Sequence, residues 1–149
     1  MQFEQHWRVN ALSAFNATQA AVNSMKRASG GSVVLFSSAV AKHGVPNHEA
    51  VASAKAAVHG LAISAAATYA PKNIRVNCIA PGMTDTPLAG KITGSESALK
   101  ASKEMHPLKR IGTADDPAAL AAFLLHPNNA NITGAWLPVD GGLSGVKAT

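Results

Sequence analysis

Residues 30–38 read Gly30-Gly31-Ser32-Val33-Val34-Leu35-Phe36-Ser37-Ser38. The run Ser32 to Phe36 is continuously apolar after its serine and rich in β-branched residues. A run without polar alternation is the pattern of a strand covered on both faces, as in a parallel sheet. Upstream, residues 3–28 read as one helix. Phe3, Trp7, Ala11, Ala14, Thr18, Val22 and Met25 recur at steps of three and four and draw one apolar stripe, which Gly30-Gly31 ends. Downstream, 39–48 is a loop containing Gly44, Pro46 and Asn47. A second helix runs from Glu49 to Tyr69, Ala-rich almost all round and so expected to be buried against more than one neighbour. Ile74 to Ala80 forms a second strand, stopped by Pro81-Gly82. Residues 83–112 read as a long loop with a short helix near 95–105. Thr113-Ala114-Asp115-Asp116-Pro117 starts a third long helix, with a capping side chain and an early proline. That helix ends before Pro127. Ala135 to Val139 is the last strand, followed by Asp140-Gly141-Gly142.

The order α-β-α-β-α-β predicts an α/β fold: a parallel sheet of about three strands with helices on both faces. Ligands of such sheets bind beyond the carboxyl ends of the strands. The loops after Phe36, Ala80 and Val139 lie there.

Composition narrows the function classes. A chain of 149 residues, 47% hydrophobic and 14% charged, is expected to form one compact domain over 1–149 and not a disordered tail. One cysteine, Cys78, excludes an internal disulfide framework and a cysteine metal cluster. It reads as a small buried hydrophobe, and Trp7 and Trp136 read as core. The six histidines show no metal-ligand spacing. Net charge is +5, but the 13 basic residues are scattered and aromatics make up only 5%, so no nucleic-acid partner is expected. Weak attraction for a phosphate-bearing ligand is compatible with that charge. No apolar run reaches the ~18 residues of a membrane span. The opening residues 1–10 lack the basic flank and apolar centre of a secretory signal. A cytoplasmic protein with no membrane partner is the expectation.

Several polar groups gather at the strand ends. Ser37-Ser38 closes the first strand, Lys55 lies about two turns into the next helix, and Asn10 stands one turn after Trp7. Thr84 and Thr86 follow Pro81-Gly82. Each also has a purely structural reading: a strand-end hydroxyl, a surface lysine, a local cap, two turn formers. Taken in order, Phe36-Ser37-Ser38, Ala52-Ser53-Ala54-Lys55, Ile74-Arg75-Val76-Asn77, Ala80-Pro81-Gly82-Met83-Thr84-Asp85-Thr86, Pro107-Leu108-Lys109-Arg110-Ile111-Gly112, Ile132-Thr133-Gly134 and Val139-Asp140-Gly141-Gly142 resemble the C-terminal part of the short-chain dehydrogenase/reductase family. The resemblance spans residues 3–142. It implies a partial Rossmann-like three-layer fold and hydride transfer between NAD or NADP and a ketone or secondary alcohol. By the same resemblance, Ser38 holds the substrate oxygen, Lys55 holds the nicotinamide ribose, and Asn10 anchors a relay water. Pro81, Gly82 and Thr84 form the wall beside the nicotinamide, and Thr86 meets the pyrophosphate.

Two departures from the family pattern stand out. The tyrosine expected four residues before the lysine is Val51, which has no proton to give; a positioned general acid is worth ~10²–10⁴ in rate. His48 and Tyr69 are poor substitutes by spacing. The family's first strands, with the glycine-rich turn that binds the pyrophosphate at a helix N-terminus, are expected before residue 1. Gly141-Gly142 opens no helix and does not replace that turn. The N-terminal dinucleotide half is therefore missing from this sequence. The first strand would have an open edge, and the two long helices resemble those that pair subunits in the family. A homo-oligomer is expected through those helices. The reading is thus an oxidoreductase of weak or no activity as this chain stands, or else a non-catalytic oligomerising relic.

Overall fold

The computed structural model describes residues 3–147. Its first helical segment is not uniform, as the regular spacing of apolar residues suggests it should be. α1 (Phe3–His6) passes into a π-helical stretch, Trp7–Leu12, and then into α2 (Ser13–Arg27). In the wider turn the Ser13 N–H reaches back five residues to the Arg8 carbonyl. Carbonyls left over are taken by side chains: Asn10 Nδ2 donates to His6 O at 3.0 Å, and Ser13 Oγ donates to Val9 O. Short π stretches of this kind are rare and often sit at functional places. The expected stripe is buried only at its far end, at Thr18 and Val22. Trp7 and Phe3 are exposed and stack on each other, so Trp7 is not core.

The turn into the sheet depends on Gly30. Its φ of 141° is a conformation few side chains adopt, and a Cβ there would stand 2.7 Å from the Asn73 carbonyl. β1 (Gly31–Phe36) follows, then a 3₁₀ turn at Ala39–Ala41 in the expected loop. α3 (Glu49–Tyr69) has the expected bounds but buries one stripe, Ala54, Val58, Ala62, Ala65 and Ala66, while Ala56, Gly60 and Ile63 face outward. The stretch Glu49–Lys72 is by length and composition long and apolar enough to cross a membrane, which the sequence reading missed. Within the fold its inner stripe packs on the sheet.

β2 (Ile74–Pro81) is the centre, buried at every residue from Ile74 to Ala80. β5 (Trp136–Val139) completes a parallel sheet of order β1-β2-β5, with Phe36 beside Ile79 and Pro81 beside Val139. α2 and α3 cover one face, around a core of Val22, Val33, Leu35, Val58, Val76 and Cys78. α6 (Asp115–Leu125) covers the other, where Leu124 is fully buried and Ser32 Oγ donates to its carbonyl at 3.2 Å. Two buried polar residues of β2 tie the chain before β5 to the sheet. Asn77 donates to Ile132 O (2.8 Å) and accepts from Ala135 N–H (3.1 Å), while Arg75 donates to the carbonyls of Ile132 and His126.

Segment 83–112 is more structured than a loop. β3 (Thr84–Asp85) pairs in parallel with β4 (Gly112–Thr113). Between them lie a 3₁₀ turn at Pro87–Ala89, α4 (Gly90–Thr93) and α5 (Glu96–Met105), whose N-terminus is capped by Ser95. α6 starts at Asp115, within the expected 113–117, and its first turn is tied to the residue two before it. Thr113 donates its N–H and hydroxyl to the Asp116 carboxylate (2.7 and 3.2 Å), and Thr113 itself belongs to β4. These bonds hold the Asp116 carboxyl below its ordinary pKa.

Candidate active site

The carboxyl ends of β1 and β2 stand side by side, since the Ser37 N–H donates to Ile79 O at 2.8 Å. Strand alternation then separates the two serines. Ser37 points to the same side as Val33 and Leu35, is buried, and donates its hydroxyl to the Lys55 carbonyl at 2.8 Å. Ser38 is half-buried at the lip, where its Oγ accepts from the Val40 N–H at 3.4 Å and caps the 3₁₀ turn. The sequence singled out Ser38 and passed over Ser37, which seats α3 against the end of β1.

Lys55 reaches the same lip. Its Nζ donates to Phe36 O at 2.9 Å. Burial pushes its ammonium below the ordinary lysine pKa, partly countered by Cys78 nearby. Cys78 is fully buried, and burial pushes its thiol up despite the opposing pull of Ser37 and Lys55. The one ion pair among the described residues is Lys109–Glu104, so no carboxylate neutralises Lys55. A half-buried cation with unused N–H donors at a strand end suits a hydroxyl-rich or anionic ligand.

Val51 sits one turn before Lys55 on α3 and is half-buried. No other described group of the right chemistry takes its place. Tyr69 lies 18 residues further along the helix, about 27 Å at 1.5 Å per residue, with Lys26 Nζ 5.1 Å from its ring centre. His48 is turned to its own loop, its Nδ1 bonded to Pro46 O at 2.8 Å. Asn10 lies on the π-helical stretch, which packs against α3, and its amide is engaged by His6 O.

The wall after β2 is fixed on every side. Gly82 N–H donates to Val139 O (3.1 Å), and Gly82 O accepts from Thr84 Oγ1 (3.2 Å). Met83 N–H donates to His106 Nε2 (3.2 Å), and Met83 O accepts from Gly112 N–H (2.8 Å). Gly82 itself is required by close approach: a Cβ would come 2.8 Å from His106 Nε2 and 2.9 Å from Asp140 Cα. Pro81 ends the ladder of β2, and Thr86 precedes the 3₁₀ turn at Pro87 with no cap bond from its side chain. No sequence pattern marks His106, because the Met83 amide that it accepts from lies 23 residues away.

Ser38, Lys55 and Gly82 do not line one closed cavity. They lie along an open ledge at the ends of β1 and β2. A shallow hollow of about 260 Å³ opens further along, beside β5, lined by Arg110, Gly112, Asp116, Val139 and Gly141 among others. The donor set on the ledge — hydroxyl, uncompensated ammonium and a backbone wall — fits the nicotinamide–ribose end of a dinucleotide. No glycine-rich strand–turn–helix for a pyrophosphate occurs among the described residues.

Comparison with known proteins agrees with this geometry. The family model for Enoyl-(Acyl carrier protein) reductase matches residues 1–144. The 3-oxoacyl-(acyl-carrier-protein) reductase FabG of Thermotoga maritima is 35% identical over 144 residues, which cover 94% of this chain and 58% of that enzyme. A short-chain type dehydrogenase/reductase from Mycobacterium ulcerans superposes with a TM-score of 0.88 at 32% identity, over 95% of this chain and 53% of that one. ElxO with NADP bound superposes with a TM-score of 0.84 at 34% identity, over 90% and 54%. The chain spans about half the length of the relatives it matches.

Proposed function

The chain belongs to the short-chain dehydrogenase/reductase family, and we propose that it carries the nicotinamide end of an oxidoreductase site acting between NAD(P) and a ketone or secondary alcohol. The observation that carries this reading is the uncompensated Lys55 ammonium on the ledge beside Ser38 and the Gly82–Thr84 wall. In it, Lys55 binds the ribose hydroxyls, and Ser38 donates a hydrogen bond to the substrate oxygen. Asn10 holds a water, Pro81, Gly82 and Thr84 flank the nicotinamide, and Thr86 lies toward the pyrophosphate. NAD(P)H, when bound, supplies the hydride. The name of the Thermotoga maritima relative makes 3-oxoacyl thioesters the first substrates to try, and the NADP-bound neighbour favours NADP over NAD. We place the protein in the cytoplasm as a homo-oligomer that pairs through its first helical segment, from α1 to α2, and α3, whose outer faces expose Leu12, Phe15 and Ile63.

Val51 favours a second reading: with no proton donor at that position, the chain is a non-catalytic, oligomerising member of the family. Fluorescence titration with NADH and NADPH separates the two, followed by reduction of a 3-oxoacyl thioester. Saturable binding with any thioester-dependent oxidation of the nucleotide supports the enzyme. No binding up to millimolar nucleotide supports the relic.

A further inference from the structure

His106 ends α5, is 2% exposed, and uses both ring nitrogens. Nε2 faces the Met83 N–H at 3.2 Å, and a backbone amide can only donate. Nδ1 faces the Ser102 carbonyl at 2.6 Å, and a carbonyl can only accept. The two neighbours therefore impose one state: a neutral ring with its proton on Nδ1 and a lone pair on Nε2. The Nδ1–H satisfies one of the carbonyls that the last turn of a helix leaves open. The turn after β5 also lies against the ring, since a Cβ at Gly141 would stand 3.6 Å from His106 Cδ2, and two residues past His106 the Leu108 N–H donates to Gly141 O. Three segments thus meet at one imidazole: the helix α5 of the segment between β3 and β4, the wall after β2, and the turn after β5.

We propose that His106 is a positioning residue for the nicotinamide wall, a latch that fixes Gly82-Met83 by its Nε2 lone pair while anchored to α5 through Nδ1–H. This rests on the oxidoreductase reading above for its ligand, although the latch itself rests only on the geometry. The Met83 N–H is the one wall group whose partner is a side chain with two faces. Its neighbours are held by other main-chain groups or, at Gly82 O, by the wall's own Thr84. Gly82 brings the wall so close to Nε2 that no side chain fits between them. A displaced imidazole therefore frees both the amide and the contact that sets the height of the wall. Movement of α5 is coupled to the nicotinamide surface through the same ring, so a substrate that orders the segment between β3 and β4 also steadies the cofactor wall.

Two near-isosteric variants of the full chain test the latch, because each keeps one half of it. Gln at 106 extends its amide oxygen to the region of Nε2 and retains an acceptor for Met83. Asn at 106 reaches only the region of Nδ1, keeping a donor for Ser102 and leaving Met83 N–H without a partner. The readouts are exchange of the Met83 amide by NMR, NADH and NADPH affinity by fluorescence, and the urea midpoint. His106→Asn is expected to raise Met83 exchange and weaken nucleotide binding by ~10-fold or more, the scale of one buried donor left unpaired. His106→Gln is expected to stay within ~3-fold of the parent in both and to keep a urea midpoint close to that of the parent, while His106→Asn lowers it. Equal loss of binding in both variants would reduce His106 to a structural residue and overturn the proposal. Met83 exchange unchanged in His106→Asn would overturn the latch itself. Absence of nucleotide binding in the parent chain, with Met83 exchange still raised in His106→Asn, would overturn the oxidoreductase reading and the ligand assigned to the wall, while the latch bond stood.

Discussion

A single missing hydroxyl separates the two functional readings. Val51 stands one turn before Lys55, and on the proposed oxidoreductase reading that is where the proton donor is lacking. Val51→Tyr is expected to raise thioester-dependent NAD(P)H oxidation by ~10²–10⁴ over the parent, the value of a positioned general acid; steady-state kinetics under saturating nucleotide would show it. No gain would mean that the ledge is not competent. Lys55 supplies a second residue-scale test. Its folded-state pKa lies below the ordinary 10.5, chiefly through desolvation. The unfolded chain then binds more protons than the folded one between those two values, so stability rises with pH across that window. The cost of burying the cation is fully present below the folded value and gone above 10.5. Lys55→Met is therefore expected to lose its relative advantage as pH climbs toward 10.5, seen as a parent-minus-variant urea midpoint that shifts in the parent's favour. Ser38 and Lys55 stood out in the sequence by likeness to a family, and the structure sets both at the end of β1. Ser37 and His106 did not stand out, since which serine faces α3 depends on strand phase, and the Met83 amide reaches His106 from 23 residues away.

At the scale of elements, the sheet and α3 were legible because burial on both faces leaves an apolar run, and a 21-residue helix leaves a long period. The π-helical stretch was invisible: steps of three and four read as an ordinary helix, and only the i to i−5 bond of Ser13 and the side-chain bonds of Asn10 and Ser13 reveal the wider turn. The start of α6 was legible at 113–117, but not the direction of its bond: Asp116 accepts from the N–H and hydroxyl of Thr113. The segment Ile74-Arg75-Val76-Asn77 reads as strand and as a family likeness, but neither explains a polar residue at its centre, and the structure supplies the physical reason. Asn77 is fully buried in the central strand and fastens the entry to β5 through two hydrogen bonds. Asn77→Ala leaves Ala135 N–H without its partner, while Ile132 O keeps Arg75. A loss of about 1–3 kcal/mol is expected by urea denaturation, the cost of one donor left unpaired. A loss under about 1 kcal/mol would show that water or a shifted loop replaces the amide. The same connection carries the turn after β5, so the variant is also expected to loosen the contact of Gly82 with Asp140.

The whole molecule presents more apolar surface than three layers require. Val33 and Leu35 of β1 are buried under α2 and α3, but Phe36 on the opposite side is 44% exposed, and Phe123 and Leu125 are exposed at the end of α6 that meets Ser32. β1 is a terminal strand of the sheet, and an unpaired parallel edge flanked by such side chains favours association. A second apolar surface lies on the helical layer, where Phe3, Trp7, Leu12 and Phe15 of the first helical segment are exposed together with Ile63 of α3. Exposed apolar side chains grouped on one layer of a small protein favour association. The two surfaces lie on opposite faces of the sheet, so they make separable demands. If the helices provide the contact between copies, Leu12→Lys with Phe15→Lys should convert the assembly to a monomer in size-exclusion chromatography with light scattering. Both side chains are exposed, so the urea midpoint should change little. An assembly that survives both lysines moves the contact to the edge of β1 and the Phe36 face, and a parent chain that is already a stable monomer at micromolar concentration removes the homo-oligomer from the account. The choice matters for chemistry, because the ledge carrying Ser38 and Lys55 is continuous with the end of β1. A contact at that edge would place another chain beside the site, whereas a contact through the helices would leave the ledge open to nucleotide.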